Sequence, residues 1–185
     1  MFGALRQLFI PKPPSEVEAT YIALLRAARN PFFFTALKVP DTLDGRFEMI
    51  VLHLFLLQHR LIAKDNESFC QFLSEAFFND MDTSLREMGV ADTGVSKRIK
   101  KMGKAYHGRL QAYAAGLNDA TALRAALARN LYGTVEQGDV AALDQLGHYV
   151  EIMANHLAAT DTETLTAARY AWPDASTLGL YSRFN

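Results

Sequence analysis

The sequence predicts an all-α, single-domain bundle of about seven or eight helices around a central apolar helix. Apolar residues recur at helical spacing along most of the chain, and no alternating run of β-branched residues suggests a strand. The most apolar window, residues 47–63, is apolar nearly all round, which favours a position at the centre of the bundle. Glu48, His53 and Arg60 interrupt this window, and its longest apolar run is shorter than the about 20 residues of a membrane span.

The composition is that of one globular domain. The chain has 185 residues, 50% of them hydrophobic and 21% charged, and its formal net charge is -1. This charge argues against a general nucleic-acid binder, and the single cysteine, Cys70, excludes an internal disulfide. The N-terminal segment has the pattern of neither a secretory signal nor an organellar presequence. We therefore expect a cytoplasmic protein, either free or peripheral at the inner face of the cell membrane.

The first elements follow from capping signals. Residues 1–14 are expected to form an amphipathic N-terminal arm, and residues 15–185 the helical domain. Ser15, with Glu18 three residues later, predicts a capping box at the first helix, which Asn30-Pro31 ends. A short helix or turn at "PFFFTAL" then leads to the core helix.

The later elements show apolar residues at helical spacing, bounded by glycine, proline and capping residues. Helices are predicted over residues 67–88, 95–113, 119–133, 139–160 and 162–172, the last of them stopped by Pro173.

The corner between the helices of residues 67–88 and 95–113 permits two interpretations. In the first, Gly89 takes the left-handed position that ends one helix, and Asp92 or Thr93 caps the next. In the second, the spacing of Gly89 and Val95 is that of a DNA-binding helix-turn-helix. Leu85 and Arg98 stand where that motif has a small and an apolar residue, so the capped turn accounts for more of the sequence.

A row of lysines follows this corner. Lys97, Lys100, Lys101 and Lys104 share the face opposite the apolar residues of their helix, and no acid occurs between Asp92 and Asp119. The row is either a solvated helix face or a docking surface for RNA, anionic lipid or an acidic protein.

Residues 77–113 resemble the signature of the ubiquinol–cytochrome c chaperone family. The matching motifs are Asp80-Met81-Asp82, Leu85-Arg86-Glu87, Gly89-Val90 with Asp92, and Tyr106 with Gly108-Arg109. The similarity extends over most of residues 21–133.

The resemblance implies a fold and a function. It implies a helical assembly chaperone for the cytochrome bc1 complex, which binds newly made cytochrome b without catalysis, alone or with a small partner subunit. Because the N-terminal segment lacks the pattern of a presequence, the chain looks like a bacterial relative of the mitochondrial proteins. The ribosome or an anionic membrane surface is a further expected partner, and no specific DNA is expected. A helix-turn-helix DNA-binding protein and a small-molecule- or haem-binding helical bundle are the alternatives.

The sequence contains no catalytic motif that would contradict a chaperone. It has neither a phosphate-binding Gly-x-x-x-x-Gly-Lys-Ser/Thr loop nor a Gly-x-Ser-x-Gly nucleophile elbow. Cys70 lies beside the apolar stripe of its helix, which favours a buried thiol, and the five histidines lack the spacing of a metal site. We expect no enzyme activity, no cofactor and no metal.

The candidate client-binding residues are clustered aromatic side chains and the charged and tyrosine residues of the signature. They are Phe32, Phe33, Phe34, Phe78, Asp80, Asp82, Arg86, Glu87, Asp92, Tyr106 and Arg109. The aromatic residues either fill gaps between helices or form an exposed apolar patch, and the charges either brace the corner or form a docking surface. Gly108 costs its helix roughly 0.5–1 kcal/mol relative to Ala, which indicates a close backbone contact, internal or with a partner.

Overall fold

A computed structural model describes residues 13–133 and 140–179, and it confirms the all-α, single-domain prediction. In these residues there are eight α-helices, a short 3₁₀ turn at Ala175–Thr177 and no strand. The helices are α1 Ser15–Ala28, α2 Pro31–Thr35, α3 Leu43–Ile62, α4 Glu67–Glu87, α5 Asp92–Gly116, α6 Ala120–Leu131, α7 Val140–Ala159 and α8 Thr162–Thr166. The predicted arm of residues 1–14 lies outside the described residues, apart from Pro13 and Pro14.

Helix α3 is the centre of the bundle, as its apolar sequence predicts. Every residue from 47 to 58 is buried, and α3 packs against α1, α4, α5, α6 and α7. A helix surrounded by five others has no face left for solvent except at its ends. Its polar residues must therefore find partners inside the protein.

His53 is the most deeply enclosed of these polar residues. Its Nδ1 lies 2.8 Å from the Met49 carbonyl oxygen, which can only accept, so Nδ1 carries the proton. The Tyr149 hydroxyl then donates to Nε2 over 2.7 Å. Burial lowers the pKa of His53 to about 4, and the ring is neutral at physiological pH.

The predicted capping box at the start of α1 is wrong. Pro14 already provides the extended residue before α1, so Ser15 enters the first turn, and no side chain caps the helix. The Ser15 hydroxyl donates to the Glu16 carboxylate instead of capping the helix, so the predicted capping box with Glu18 does not form.

The last predicted helix is also shorter than expected, since α8 ends at Thr166 and not at residue 172. Ala168 has a φ of 56°, a left-handed conformation that breaks the helix. The chain beyond it brings the Trp172 ring to 5.2 Å from the His53 ring. Aromatic packing against the core outweighs the helical propensity of this segment.

Candidate functional site

The corner between α4 and α5 has the geometry that the glycine predicted. Gly89 has a φ of 77°, its amide donates to the Arg86 carbonyl over 2.9 Å, and the Val90 amide donates to the Leu85 carbonyl over 3.1 Å. This pair of hydrogen bonds is the Schellman motif that ends a helix at a left-handed residue. The prediction that Asp92 or Thr93 caps α5 is wrong, because Ala91 precedes the helix and no side chain caps it.

Arg86 connects the two sides of this corner. Its Nε donates to Asp82 over 2.5 Å, and its guanidinium also pairs with Asp92 in the first turn of α5. Asp92 therefore forms an ion pair with a side chain of α4 and does not cap the backbone amides of its own helix. All three side chains are well exposed, so each pair contributes only about 0–1 kcal/mol. Glu87 is exposed and forms no ion pair with the described part of the chain.

Asp80 faces α1, away from the corner. It accepts a hydrogen bond of 3.0 Å from the buried Tyr21 hydroxyl. Burial raises the pKa of Tyr21, and the charge of Asp80 raises it further. The carboxylate therefore fixes the position of α4 against α1.

Arg109 faces the interior. Its Nε and Nη2 groups donate to the two carboxylate oxygens of Glu48 in α3, and its guanidinium carbon lies 5.8 Å from the centre of the Phe47 ring. Burial raises the pKa of Glu48, and Arg109 opposes this shift. The sequence motif therefore includes one half of a buried ion pair whose other half stands in the core helix.

Tyr106 is buried in a polar cluster between three helices. Its hydroxyl donates to the Gln58 side-chain oxygen over 2.6 Å and lies 3.1 Å from the Ser74 hydroxyl. The Gln58 amide in turn donates to the Cys70 carbonyl over 3.0 Å. Tyr106 thus joins α5 to α3 and α4 and offers no surface to a client in this conformation.

The predicted aromatic residues divide between core and surface. Phe33 is completely buried, with its ring 4.9 Å from that of Tyr149. Phe32 and Phe34 flank it and are half-buried. Phe78 is half-buried as well, with its ring 5.4 Å from that of Tyr106. Phe33 fills the core, and only the partly exposed aromatics are available for contact with another protein.

A hollow of about 260 Å³ opens beside the corner, and the sequence analysis did not identify it. We call it the methionine hollow, and it is lined by Arg29, Leu43, Arg46, Phe47, Ile50, Met81, Ser84, Leu85, Met88 and Met102. Met88 and Leu43 are 52% and 48% exposed, unusually high for apolar side chains in this fold. Flexible thioether side chains adapt to apolar surfaces of different shape, so the hollow suits an apolar segment of another protein.

Two arginines extend this hollow towards α2. Arg29 and Arg46 also line a neighbouring hollow of about 280 Å³, together with Pro31, Phe34, Thr35 and Asp41. Arg46 pairs with Asp41 over 2.6 Å, whereas Arg29 forms no ion pair with any described residue. The two hollows join the half-buried Phe34 to the methionines at the corner. The sequence signal for this site is weak, because its residues come from five separate segments.

The lysine row lies on the outer face of α5. Lys97, Lys100, Lys101 and Lys104 are exposed, and no described residue forms an ion pair with any of them. We call these four residues the lysine face. Arg98 is exposed beside them and is likewise unpaired within residues 13–133 and 140–179.

Cys70 is buried, and burial raises the pKa of its thiol to about 12. Within residues 13–133 and 140–179, no group of three or more His, Cys, Asp or Glu side chains is placed to hold a metal ion. In the same residues no helix has both the length and the apolar character to cross a membrane.

Comparisons with known proteins agree with this architecture. The family model described as ubiquinol-cytochrome C chaperone matches residues 35–172, which is more than half of the chain. The crystal structure of the Cbp3 homolog from Brucella abortus is similar, with a TM-score of 0.78 and 36% sequence identity. The match covers 96% of this chain and 99% of that chain. No curated protein matches.

The chain therefore belongs to the ubiquinol-cytochrome c chaperone family, as the signature motifs predicted. Family membership supports a chaperone role, with a partner protein in assembly of the cytochrome bc1 complex.

Proposed function

We propose that this chaperone binds newly made cytochrome b, without catalysis, and holds an apolar segment of that client in the methionine hollow. The observation that supports this most is the hollow itself, where Met88 and Leu43 stay exposed beside two arginines. An unassembled membrane protein presents apolar segments that need cover until its subunits and haem are in place. An equilibrium binder meets that need with apolar contact and release, and requires no reaction.

The arginines of the hollow add orientation to this apolar contact. Arg29 has no acidic partner among the described residues, so its charge is available to an acidic side chain or chain terminus of the client. Phe34, at the far end of the adjoining hollow, provides further apolar surface. Together the two hollows favour a segment that is apolar along its length and negative near its middle or end.

The charged residues on the outside of the corner form a docking surface for a partner in this proposal. Asp82, Arg86, Glu87 and Asp92 surround the entrance to α5, and the lysine face continues from them along the helix. We propose that this face holds the chaperone to an anionic partner. The protein would then work in the cytoplasm, close to the inner face of the membrane into which its client is inserted.

The test is co-purification of cytochrome b with single variants of the chaperone. Met88→Arg places a charge in the hollow, and we expect about tenfold less client, since burial of one apolar side chain contributes 1.5–3 kcal/mol, roughly a tenfold change in affinity or more. Ile62→Arg is the matched control, because Ile62 is 48% exposed but lies outside the hollow. Equal loss in both variants would reject the hollow as the client site. A deletion strain with normal levels of bc1 complex would reject the client.

A further inference from the structure

The outer face of α5 carries two glycines that the fold does not explain. A Cβ atom added at Gly103 or at Gly108 would meet nothing within 4 Å. Gly94, in contrast, would meet the Val90 side chain at 2.9 Å, and Gly116 would meet the backbone of Leu123 at 2.7 Å. Interior glycines weaken a helix, so Gly103 and Gly108 lack an internal reason within the described structure. For Gly108, where the sequence indicated a close backbone contact, internal or with a partner, the contact is therefore one with another molecule.

These glycines lie within the cationic surface. An open, shallow surface runs along α5, and all of its lining residues belong to this one helix. Gly108 follows Lys104 by four residues and Lys101 by seven, so it continues the same side of α5 beyond the lysines. At this end of the lysine row the outer face therefore lacks a side chain, and the helix backbone is accessible at Gly108.

The combination of charge and exposed backbone distinguishes between anionic partners. The amides within a helix are already bonded to carbonyls of the preceding turn, so the glycines offer no donors to a phosphate. A lipid surface or a nucleic acid would use the lysines and gain nothing from the missing side chains. Another helix would make closer packing contacts at the glycines, because small residues let two helix backbones approach closely and let a ridge of one fill a groove of the other.

We propose that the outer face of α5 binds an acidic α-helix of a partner protein, which crosses α5 at Gly108 and pairs with the lysine face. This rests on the docking role proposed for that face, and it is independent of the client's identity. The four lysines and Arg98 lack acidic partners among the described residues. The carboxylates of an acidic helix would provide these missing partners. The glycines select for a helix, and the charges select for acidic side chains.

The experiment compares three labelled probes by fluorescence anisotropy against the full chain. They are a designed helical peptide rich in Glu and Ala, a single-stranded RNA of similar charge, and vesicles containing phosphatidylglycerol. We expect the peptide to bind, Gly108→Leu to weaken it about tenfold, and Lys100→Glu with Lys104→Glu to abolish binding. Gly147→Leu is the matched control, since Gly147 also lies in a helix with open space in front of it, and Lys64→Glu controls for charge.

The outcomes separate the alternatives. In one outcome RNA or vesicles bind, Gly108→Leu leaves that binding unchanged, and the peptide does not bind. This result would overturn the proposal of a partner helix and would keep the docking of an anionic partner. A dimer of the chain alone that Gly108→Leu dissociates would assign the face to a second copy and overturn a separate partner. Peptide binding that is equal in Gly108→Leu and the wild type would also reject the crossing at Gly108. None of these results depends on whether cytochrome b is the client.

Discussion

Arg109 of α5 reaches both carboxylate oxygens of Glu48 in α3, at a position where Glu48 is only 4% exposed. The core helix therefore holds a buried carboxylate, and its charge is compensated from the signature helix. Removing one partner of such a pair leaves a desolvated charge, which costs more than the pair contributes.

For this reason Arg109→Ala should lower the free energy of unfolding by about 3 kcal/mol. Urea denaturation followed by circular dichroism measures this. The control is Arg124→Ala, which removes a more exposed pair with Asp144 and should cost about 1 kcal/mol or less. If Arg109→Ala costs no more than Arg124→Ala, the buried pair does not stabilise the fold.

The buried imidazole predicts a dependence of stability on pH. The folded pKa of His53 is lowered to about 4, whereas an unfolded histidine titrates near about 6.5. Between these two pKa values the unfolded chain binds more protons than the folded chain. The contribution of neutral His53 to stability is therefore fully present above about pH 6.5 and is lost as the pH drops towards 4. The loss from this residue should reach about 3 kcal/mol.

The slope of unfolding free energy against pH between about pH 6.5 and pH 5 tests this, because few carboxylates titrate there. His53→Gln should flatten the slope even if the variant is less stable overall. His59→Gln, which changes an exposed ring on the same helix, is the matched control. A wild-type slope in His53→Gln would show that another group titrates.

Two glycines of α5 should respond to alanine in opposite directions. Gly108→Ala adds a methyl group in open space and should stabilise the protein by about 0.5–1 kcal/mol. Gly116→Ala would place Cβ 2.7 Å from the Leu123 Cα, so α6 would have to move and stability should fall by about 1–3 kcal/mol. Thermal unfolding of both variants measures the two signs. A gain in both would mean that α5 and α6 are farther apart than the structure places them.

The lysine face should be dispensable for folding. Changing Lys97, Lys100, Lys101 and Lys104 together to Gln removes no ion pair to a described residue and relieves repulsion among like charges. We expect the free energy of unfolding to stay within about 0.5 kcal/mol of the wild type. Denaturant titration of the quadruple variant measures this change. A loss of several kcal/mol would assign the row a structural role in place of docking.

Much of the fold could be predicted because its signals are local. The apolar character of α3 and the glycine at the α4–α5 corner each depend on a short segment, and both predictions are confirmed. The capping box at Ser15 and the length of the last helix were predicted wrongly. In those places a neighbouring proline and long-range aromatic packing decided the structure.

The candidate site was less accessible to sequence reasoning. The signature contains Arg109 and Tyr106, but their partners Glu48 and Gln58 stand in a helix that looked purely like core. The methionine hollow is assembled from residues far apart in the chain, so no spacing rule could have found it. Whether the predicted aromatic and charged residues contact a client stays a prediction.

The end of the chain has a consequence for biosynthesis. Trp172 lies in the segment after α8, and its ring packs against the ring of His53. In the same segment, Asp174 accepts a hydrogen bond of 3.0 Å from Asn30 at the start of α2. A nascent chain that has reached Thr166 contains the eight helices found in the described residues but still lacks the aromatic residue that packs on the central imidazole. The core around His53 therefore closes only after the segment that follows α8 has been synthesised and has packed against it.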